Sequence, residues 1–174
     1  EPAERRLREK GGRLILGKAV RSMAAQDGSI SALELSNGEM LQADAYVSAL
    51  PFQVLQEVLP YEVARMPFFS RAEALSSSPI VGIHLWYDRP IMDQEFVAFL
   101  DSPVQWVFNK SLIQESDGPG QYICISLSGA WQHVTTPKDE LISAFTDEMA
   151  RLFPRAGQAR LQRSLVVKEP KATF

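Results

Sequence analysis

Short apolar runs separated by turn dipeptides occupy the first third of the chain, and this pattern predicts a β-meander. Asp27-Gly28 and Asn37-Gly38 are dipeptides that accept a positive φ at both central positions of a two-residue turn, so we expect a tight hairpin at each. The last run is uncharged, which is typical of a strand that is covered on both faces. The predicted strands are 13–20, 30–35, 40–41 and 45–49.

Proline positions and the spacing of apolar residues predict the helices. Ser70 and Glu73 have the spacing of a capping box, in which the two side chains bond the backbone N–H groups at the start of a helix. Thr136 precedes Pro137 as the expected N-cap of the most regular helix, because proline is favoured at the first helical position. The predicted helices are 1–10, 51–60, a short one that starts at Ser70, and 137–153.

From Ile80 onward the apolar period changes to two, which predicts a second, β-rich part of the chain. These strands cluster together and have short connections, so we expect an α+β fold in which a mainly antiparallel sheet carries helices on one face. One face of the sheet should pack against the 137–153 helix. The predicted strands are 80–88, 96–100, 104–109, 122–128 and 161–167.

The other face of that sheet is the candidate site. Tyr122, Cys124 and Ser126 alternate with bulky residues, and the small side chains among them leave space in front of the sheet. Trp86 and Trp106 could join them, which would make the wall of an apolar cavity closed by another domain. In the alternative interpretation the small residues face water and both tryptophans lie in the core.

Composition narrows the function classes. The 174 residues carry a net charge of −3, which argues against a nucleic-acid partner, and no apolar run is long enough to span a bilayer. Cys124 is the only cysteine, so a reducing, cytoplasmic compartment is expected and no internal disulfide can form. His84 and His133 have no companion ligands or nucleophile nearby in sequence, and His84 is expected to be a structural histidine rather than a base. The chain has no glycine-rich nucleotide loop and no self-contained active site, and we expect it to be part of a longer protein.

Six motifs carry a resemblance to a known family. GGRLILGKAV at 11–20, NGE at 37–39 and ADAYVSALP at 43–51 resemble the FAD-dependent amine oxidase and phytoene desaturase superfamily. PIVGIHLWYDRP at 79–90, SPVQWVFNK at 102–110 and KEPKATF at 168–174 are more similar to one branch of it. That branch is the squalene-associated FAD-dependent desaturases, or hydroxysqualene dehydroxylases, of bacterial hopanoid synthesis.

The resemblance implies a division of the chain into domains and a cofactor. Residues 1–51 would be the meander of an FAD-binding domain, 52–167 the substrate-binding domain, and 168–174 the start of the return to the FAD-binding domain. Val20 would meet the adenine end of FAD through its backbone, and Ala49, Leu50 and Pro51 would pass beside the cofactor. The glycine-rich loop and a second flavin-contacting segment would lie outside this chain, so the chain alone is expected to retain no FAD and to be inactive.

The resemblance also implies an oxidoreductase in which the flavin transfers hydride and the protein holds an apolar isoprenoid such as hydroxysqualene. Trp86, Trp106 and Tyr122 would line the substrate, and the whole enzyme would be cytoplasmic or in peripheral contact with the inner membrane, because its substrate partitions into lipid. Two alternatives stay open. One is an amine oxidase or protoporphyrinogen oxidase relative, and the other is a non-catalytic module that binds an apolar ligand.

Overall fold

The structure, a computed structural model, describes residues 2–173; Glu1 and Phe174 lie outside it. The chain divides into two compact units, one that ends at Leu75 and one that begins at Ser76. The first unit holds an antiparallel sheet in the order β1-β2-β3 and several short helices. Its elements are α1 (Pro2–Glu9), β1 (Val20–Gln26), β2 (Ser29–Leu35), β3 (Met40–Leu41), α2 (Phe52–Val58), α3 (Tyr61–Ala64), α4 (Pro67–Ser70) and a 3-10 turn (Arg71–Ala74).

The first hairpin is the predicted two-residue turn. Gln26 pairs with Ser29, and the two residues between them, Asp27 and Gly28, have φ values of 53° and 77°. This confirms the prediction, because a turn with positive φ at both centres matches the twist of the strands that it joins.

The second hairpin differs from the prediction. The loop between β2 and β3 has more than two residues, and of the predicted pair only Gly38 has a positive φ, of 81°. Asn37 instead uses its side-chain oxygen to accept a hydrogen bond from the Glu39 backbone at 3.3 Å. Asparagine side chains offer this local bond, which stabilises a turn without a left-handed backbone at the asparagine itself.

Two predicted strands of the first unit are absent. Only Val20, the last residue of the predicted 13–20 strand, lies in β1, and Gly17 within that run has a φ of 71°, which a regular strand does not adopt. Residues 45–49 form no strand, and Val47 is 97% exposed rather than covered on both faces. Apart from Val20, neither run finds a strand partner among residues 2–173, so its backbone has no ladder to join.

The helices predicted at 1–10, 51–60 and 137–153 are present, whereas the one predicted to start at Ser70 is not, because α4 ends at that residue. Helix α2 follows Pro51 and ends before Pro60, as predicted. The Ser70 side chain caps no helix; only a single 3-10 turn follows it, so the capping box was wrong. The Thr136 hydroxyl donates to the Gln132 carbonyl at 3.0 Å instead of capping the long helix. Both hydroxyls bond an upstream carbonyl, which competes with the capping role.

The second unit contains a five-stranded sheet in the order β5-β6-β7-β4-β8, and every neighbouring pair in it is antiparallel. All five predicted strands and the long helix are present. The elements are β4 (Ser78–Tyr87), β5 (Phe96–Ala98), β6 (Trp106–Asn109), α5 (Lys110–Ile113), β7 (Gln121–Ser128), α6 (Trp131–Val134), α7 (Lys138–Leu152), a 3-10 turn (Ala156–Gln158) and β8 (Leu161–Thr173).

The core of the second unit lies between one face of the sheet and α7. The buried positions alternate along β4 and β7, so Ile83 and Ile125 are fully buried while their chain neighbours are not. Helix α7 contributes Leu141, Phe145 and Met149 to the same core. The antiparallel sheet with helical packing on one face confirms the predicted α+β fold.

The compact units do not follow the implied domain boundaries. Residues 52–75 belong to the unit that contains the meander, and β8 continues beyond Val167 to Thr173, which pairs with Ser78. A compact unit is defined by packing and a functional domain by its ligand. The assignment of 1–51, 52–167 and 168–174 to cofactor and substrate domains therefore stays a prediction.

Candidate functional site

The face of the five-stranded sheet opposite α7 is aromatic and partly exposed. The strand register places two rows of residues on it, each crossing all five strands. One row consists of Phe96, Phe108, Cys124, His84 and Leu165. The next consists of Ala98, Trp106, Ser126, Gly82 and Val167. We call this face of the sheet, made of the two rows and the adjoining pair of Trp86 and Tyr122, the open face.

Trp86 and Tyr122, two predicted substrate residues, stack at one end of the open face. They are a directly opposed pair on β4 and β7, with ring centroids 4.4 Å apart and planes 9° from parallel. On the other side of β4, the Arg163 guanidinium carbon lies 4.7 Å from the centroid of the Trp86 ring. A cation over an indole face is attracted by the ring's quadrupole, so Arg163 stabilises this end of the face.

Trp106, the third predicted substrate residue, lies in a separate aromatic cluster. It stacks on Phe108 with centroids 6.0 Å apart and contacts Phe96, whose centroid is 6.2 Å away. These three rings and Ser126 line a shallow groove of about 390 Å³. Trp106 is 42% exposed, so the interpretation that puts the tryptophans in the core is wrong.

His84 and Tyr122 form a hydrogen bond across the same pair of strands. The His84 Nδ1 atom lies 2.7 Å from the Tyr122 hydroxyl oxygen. Partial burial lowers the pKa of His84, and the positive charge of Lys110 lowers it further. Burial raises the pKa of Tyr122. Cys124 raises it further, whereas Arg163 lowers it. The pair is therefore neutral at physiological pH.

Cys124 lies beside His84 in the first row and shares its environment. Burial raises the pKa of its thiol, with Lys110 acting in the opposite direction. A thiol with a raised pKa is a poor nucleophile, so Cys124 acts as a small, weakly polar part of the face.

The predicted cofactor residues belong to the first unit, where an apolar cavity of about 560 Å³ lies among the meander, 45–50, α2 and Phe69. Val20 lines it together with Ala49 and Leu50, although Val20 is far from the other two in sequence. Pro51 does not line it and stands instead before the first residue of α2.

The lining of this cavity fits one part of FAD. Its apolar side chains and the Ser48 hydroxyl suit a flat heteroaromatic ring. The Tyr46 hydroxyl already accepts from the Ala43 N–H at 2.9 Å and donates to the Ser31 carbonyl at 3.0 Å. A diphosphate needs cations or clustered N–H donors, and the lining contains no basic side chain. Val20, Ala49 and Leu50 could thus border a ring of the cofactor, while its charged centre requires other residues.

The sequence predicts Trp86, Trp106 and Tyr122 as wall residues but not how the residues of the open face pair. The prediction for His84 rests on the absence of a carboxylate or nucleophile nearby in sequence. Its partner Tyr122 is 38 positions away, and neither this bond nor the cation at Arg163 is part of that prediction. The signal was present in the strand alternation, since antiparallel pairing of β4 with β7 opposes alternate residues of both.

Two kinds of feature are absent from the described residues. Within residues 2–173, no group of three His, Cys, Asp or Glu side chains is arranged to hold a metal ion. In the same range, no helix is both long and apolar enough to cross a membrane.

The profile of the flavin-containing amine oxidoreductases matches residues 1–171. The chain belongs to this family. Among curated proteins, a 15-cis-phytoene desaturase from Synechococcus elongatus is 27% identical over 187 aligned positions, which cover 100% of this chain and 40% of that protein. The chloroplastic/chromoplastic 15-cis-phytoene desaturase of Glycine max is also 27% identical, over 94% of this chain and 30% of its own length. The chain therefore spans well under half the length of these relatives.

Solved structures share the fold at low identity. A Pyrococcus furiosus protein superposes with a TM-score of 0.73 at 12% identity, over 94% of this chain and 40% of that one. A reduced UDP-galactopyranose mutase gives a TM-score of 0.72 at 12% identity, over 97% of this chain and 37% of that one. The flavin-containing amine oxidoreductase family, to which the chain belongs, consists of FAD-dependent oxidoreductases. This agrees with the general class of enzyme that the sequence predicts.

Proposed function

We propose that this chain provides the substrate-facing sheet of an FAD-dependent oxidoreductase that acts on an isoprenoid similar to hydroxysqualene. The observation that carries the proposal is the open face. It presents Trp86, Tyr122, Trp106, Phe108 and Phe96 together, backed by a rigid core.

An aromatic and aliphatic surface of this size suits a long apolar ligand. Phe96 and Leu165, at the two ends of one row, are 54% and 42% exposed, so the apolar surface extends across the whole width of the sheet. Covering such side chains with an apolar ligand gains about 25 cal/mol for each Å² removed from water. The phytoene desaturases among the relatives support a polyisoprenoid substrate, since phytoene is named as what those proteins act on.

The chain's own residues bind the substrate and exclude water, while bound FAD supplies the hydride chemistry. In this proposal the rest of the FAD-binding domain is a partner of the first unit and completes the cofactor site around Val20, Ala49 and Leu50. Pro51 then fixes the start of α2 beside it rather than touching the cofactor. We also propose a cytoplasmic enzyme whose contact with the inner membrane is peripheral, because its substrate partitions into lipid.

The decisive experiment uses a protein that carries this chain together with a complete FAD-binding domain. It is incubated with hydroxysqualene, phytoene or a primary amine, starting from either oxidised or reduced flavin, and the products are analysed by mass spectrometry. Conversion of hydroxysqualene is the expected result. Conversion of the amine alone would instead identify an amine oxidase. A porphyrinogen is included to test the protoporphyrinogen oxidase alternative.

The non-catalytic alternative is tested with the 174-residue chain by itself. Stoichiometric binding of an apolar fluorescent probe, without turnover in the FAD-containing protein, would support a binding module. We expect the open face of the single chain to bind such a probe weakly, because the groove over Trp106 is shallow and open to solvent.

A further inference from the structure

The imidazole of His84 stands in the middle of the open face. His84 lies between Cys124 and Leu165 in the first row, and its imidazole leans over Gly82 in the next. The Nε2 atom would be 3.2 Å from a Cβ placed on Gly82. Glycine therefore leaves room at Nε2, where any other residue would crowd the ring.

The two nitrogens of this imidazole have different partners. Nδ1 is engaged by the Tyr122 hydroxyl, whereas Nε2 has no hydrogen-bond partner among residues 2–173. A phenol is the better donor and a neutral imidazole nitrogen the better acceptor, so we assign the shared proton to Tyr122. In that tautomer Nε2 carries a hydrogen, and this N–H is a free donor on a largely apolar surface.

Two cations act on the pair, and Cys124 opposes one of them at Tyr122. Lys110 opposes protonation of His84, and Arg163, which lies over Trp86, favours the ionised form of Tyr122. A positive surrounding potential favours the partially negative oxygen of a ligand and disfavours an ammonium group at the same place.

We propose that the Nε2–H of His84 donates a hydrogen bond to a neutral oxygen, a hydroxyl or carbonyl, on the apolar ligand of the open face, and that Arg163, which lies over the neighbouring Trp86 ring, disfavours protonated amines at this position. This deepens the proposed function and rests on it. It assigns His84 as a specificity-determining residue and Tyr122 as the positioning residue that fixes its tautomer.

The test compares three ligands that differ at one group: farnesol, its deoxy hydrocarbon and farnesylamine. Their dissociation constants are measured on the FAD-containing protein by tryptophan fluorescence. We expect farnesol to bind about threefold to tenfold more tightly than the hydrocarbon, which is the range of one net neutral hydrogen bond. Farnesylamine should bind more weakly than farnesol.

Three variants separate recognition from packing. His84→Leu should abolish the preference for the alcohol and keep the affinity for the hydrocarbon within about twofold of the unsubstituted protein. His84→Gln, which keeps an N–H donor, should retain part of the preference for the alcohol. Gly82→Ala should also lose the preference, because its Cβ crowds Nε2. His133→Leu is the matched control: this histidine packs against Phe145 in the core and should leave all three affinities unchanged.

The outcomes are distinguishable. Equal affinity for alcohol and hydrocarbon, or a His84→Leu variant that weakens both equally, overturns this inference and leaves the proposed function standing. Tightest binding of the amine overturns the charge argument. If none of the three ligands binds, the proposed function fails together with the inference.

Discussion

The side-chain amide of Gln121 pairs with the backbone of Met92 in the way that one strand pairs with another. The Gln121 Oε1 atom accepts from the Met92 N–H at 3.1 Å, and Nε2 donates to the Met92 carbonyl at 2.8 Å. Oε1 also accepts from Ile91 at 2.7 Å. Gln121 is only 6% exposed, so water does not replace these bonds, and they hold the segment whose side chains enter the core.

Gln121→Leu is expected to lower the free energy of unfolding by about 3 kcal/mol, because it leaves buried N–H groups of Ile91 and Met92 without an acceptor. Urea unfolding followed by circular dichroism measures the change. The chain contains a matched control in Gln105, whose amide makes the same two-bond pairing with the backbone of Ser128 at the surface. Gln105→Leu should cost less than about 1 kcal/mol, since water can take over there. Equal costs would contradict the role given to burial.

Gly120→Ala is expected to destabilise the second unit by about 2 kcal/mol. A Cβ at this position would lie 2.6 Å from the Tyr87 carbonyl oxygen, which belongs to a central strand and cannot move away without disturbing the sheet. Gly157→Ala is the control, because its Cβ would meet only the Ala150 methyl at an ordinary 3.7 Å. Thermal unfolding of both variants should separate them by several degrees. If Gly120→Ala left stability unchanged, the backbone at residue 120 would lie farther from the Tyr87 carbonyl than the structure shows.

Tyr87→Phe is expected to leave stability unchanged or to raise it by up to about 1 kcal/mol. The Tyr87 hydroxyl is buried without a hydrogen-bond partner among residues 2–173, and burial raises its pKa to about 12. Removing it removes an unsatisfied polar group and no hydrogen bond. Urea unfolding measures the effect, and a loss of more than about 1 kcal/mol would show that the hydroxyl has a partner.

The first hairpin and the α7 stripe could be predicted because local chemistry determines them. Asp27-Gly28 tolerates the positive φ values that its turn requires. Leu141, Phe145 and Met149, which enter the core, repeat at helical spacing in the sequence. The runs 13–20 and 45–49 could not be predicted, because apolar composition indicates burial but a strand also requires a partner. The His84–Tyr122 hydrogen bond could not be predicted for a related reason. The register of β4 against β7, which is a property of the assembled sheet, brings the two residues together.

The pH dependence of stability should carry a signature of His84. Burial and Lys110 lower its pKa below the ordinary 6.5, so the unfolded chain binds protons more readily than the folded one. The resulting stability is fully present above pH 6.5 and is lost as pH falls through the folded pKa. His84→Gln should therefore flatten the decline of unfolding free energy just below pH 6.5. An unchanged slope would contradict the lowered pKa.

The contribution of Lys110 can be measured separately by NMR titration of the imidazoles. Lys110→Met should raise the pKa of His84 but keep it below 6.5, because burial is the larger cause and remains. His133, whose pKa is lowered by burial alone, serves as the internal control and should not change. Equal shifts at both histidines would point to a global loosening of the fold rather than to a local charge.

The purified 174-residue chain is expected to be colourless and to release added FAD during gel filtration. The cavity lined by Val20, Ala49 and Leu50 can border a ring, but its lining offers no basic side chain to the diphosphate, whose charge dominates the cost of removing FAD from water. Measurable affinity for FAD is therefore expected only when the chain is joined to a complete FAD-binding domain. In that protein, Ala49→Trp, which fills the cavity, should weaken FAD retention, whereas Ser126→Ala on the open face should not. A yellow 174-residue chain with stoichiometric flavin would show that these residues suffice to hold the cofactor.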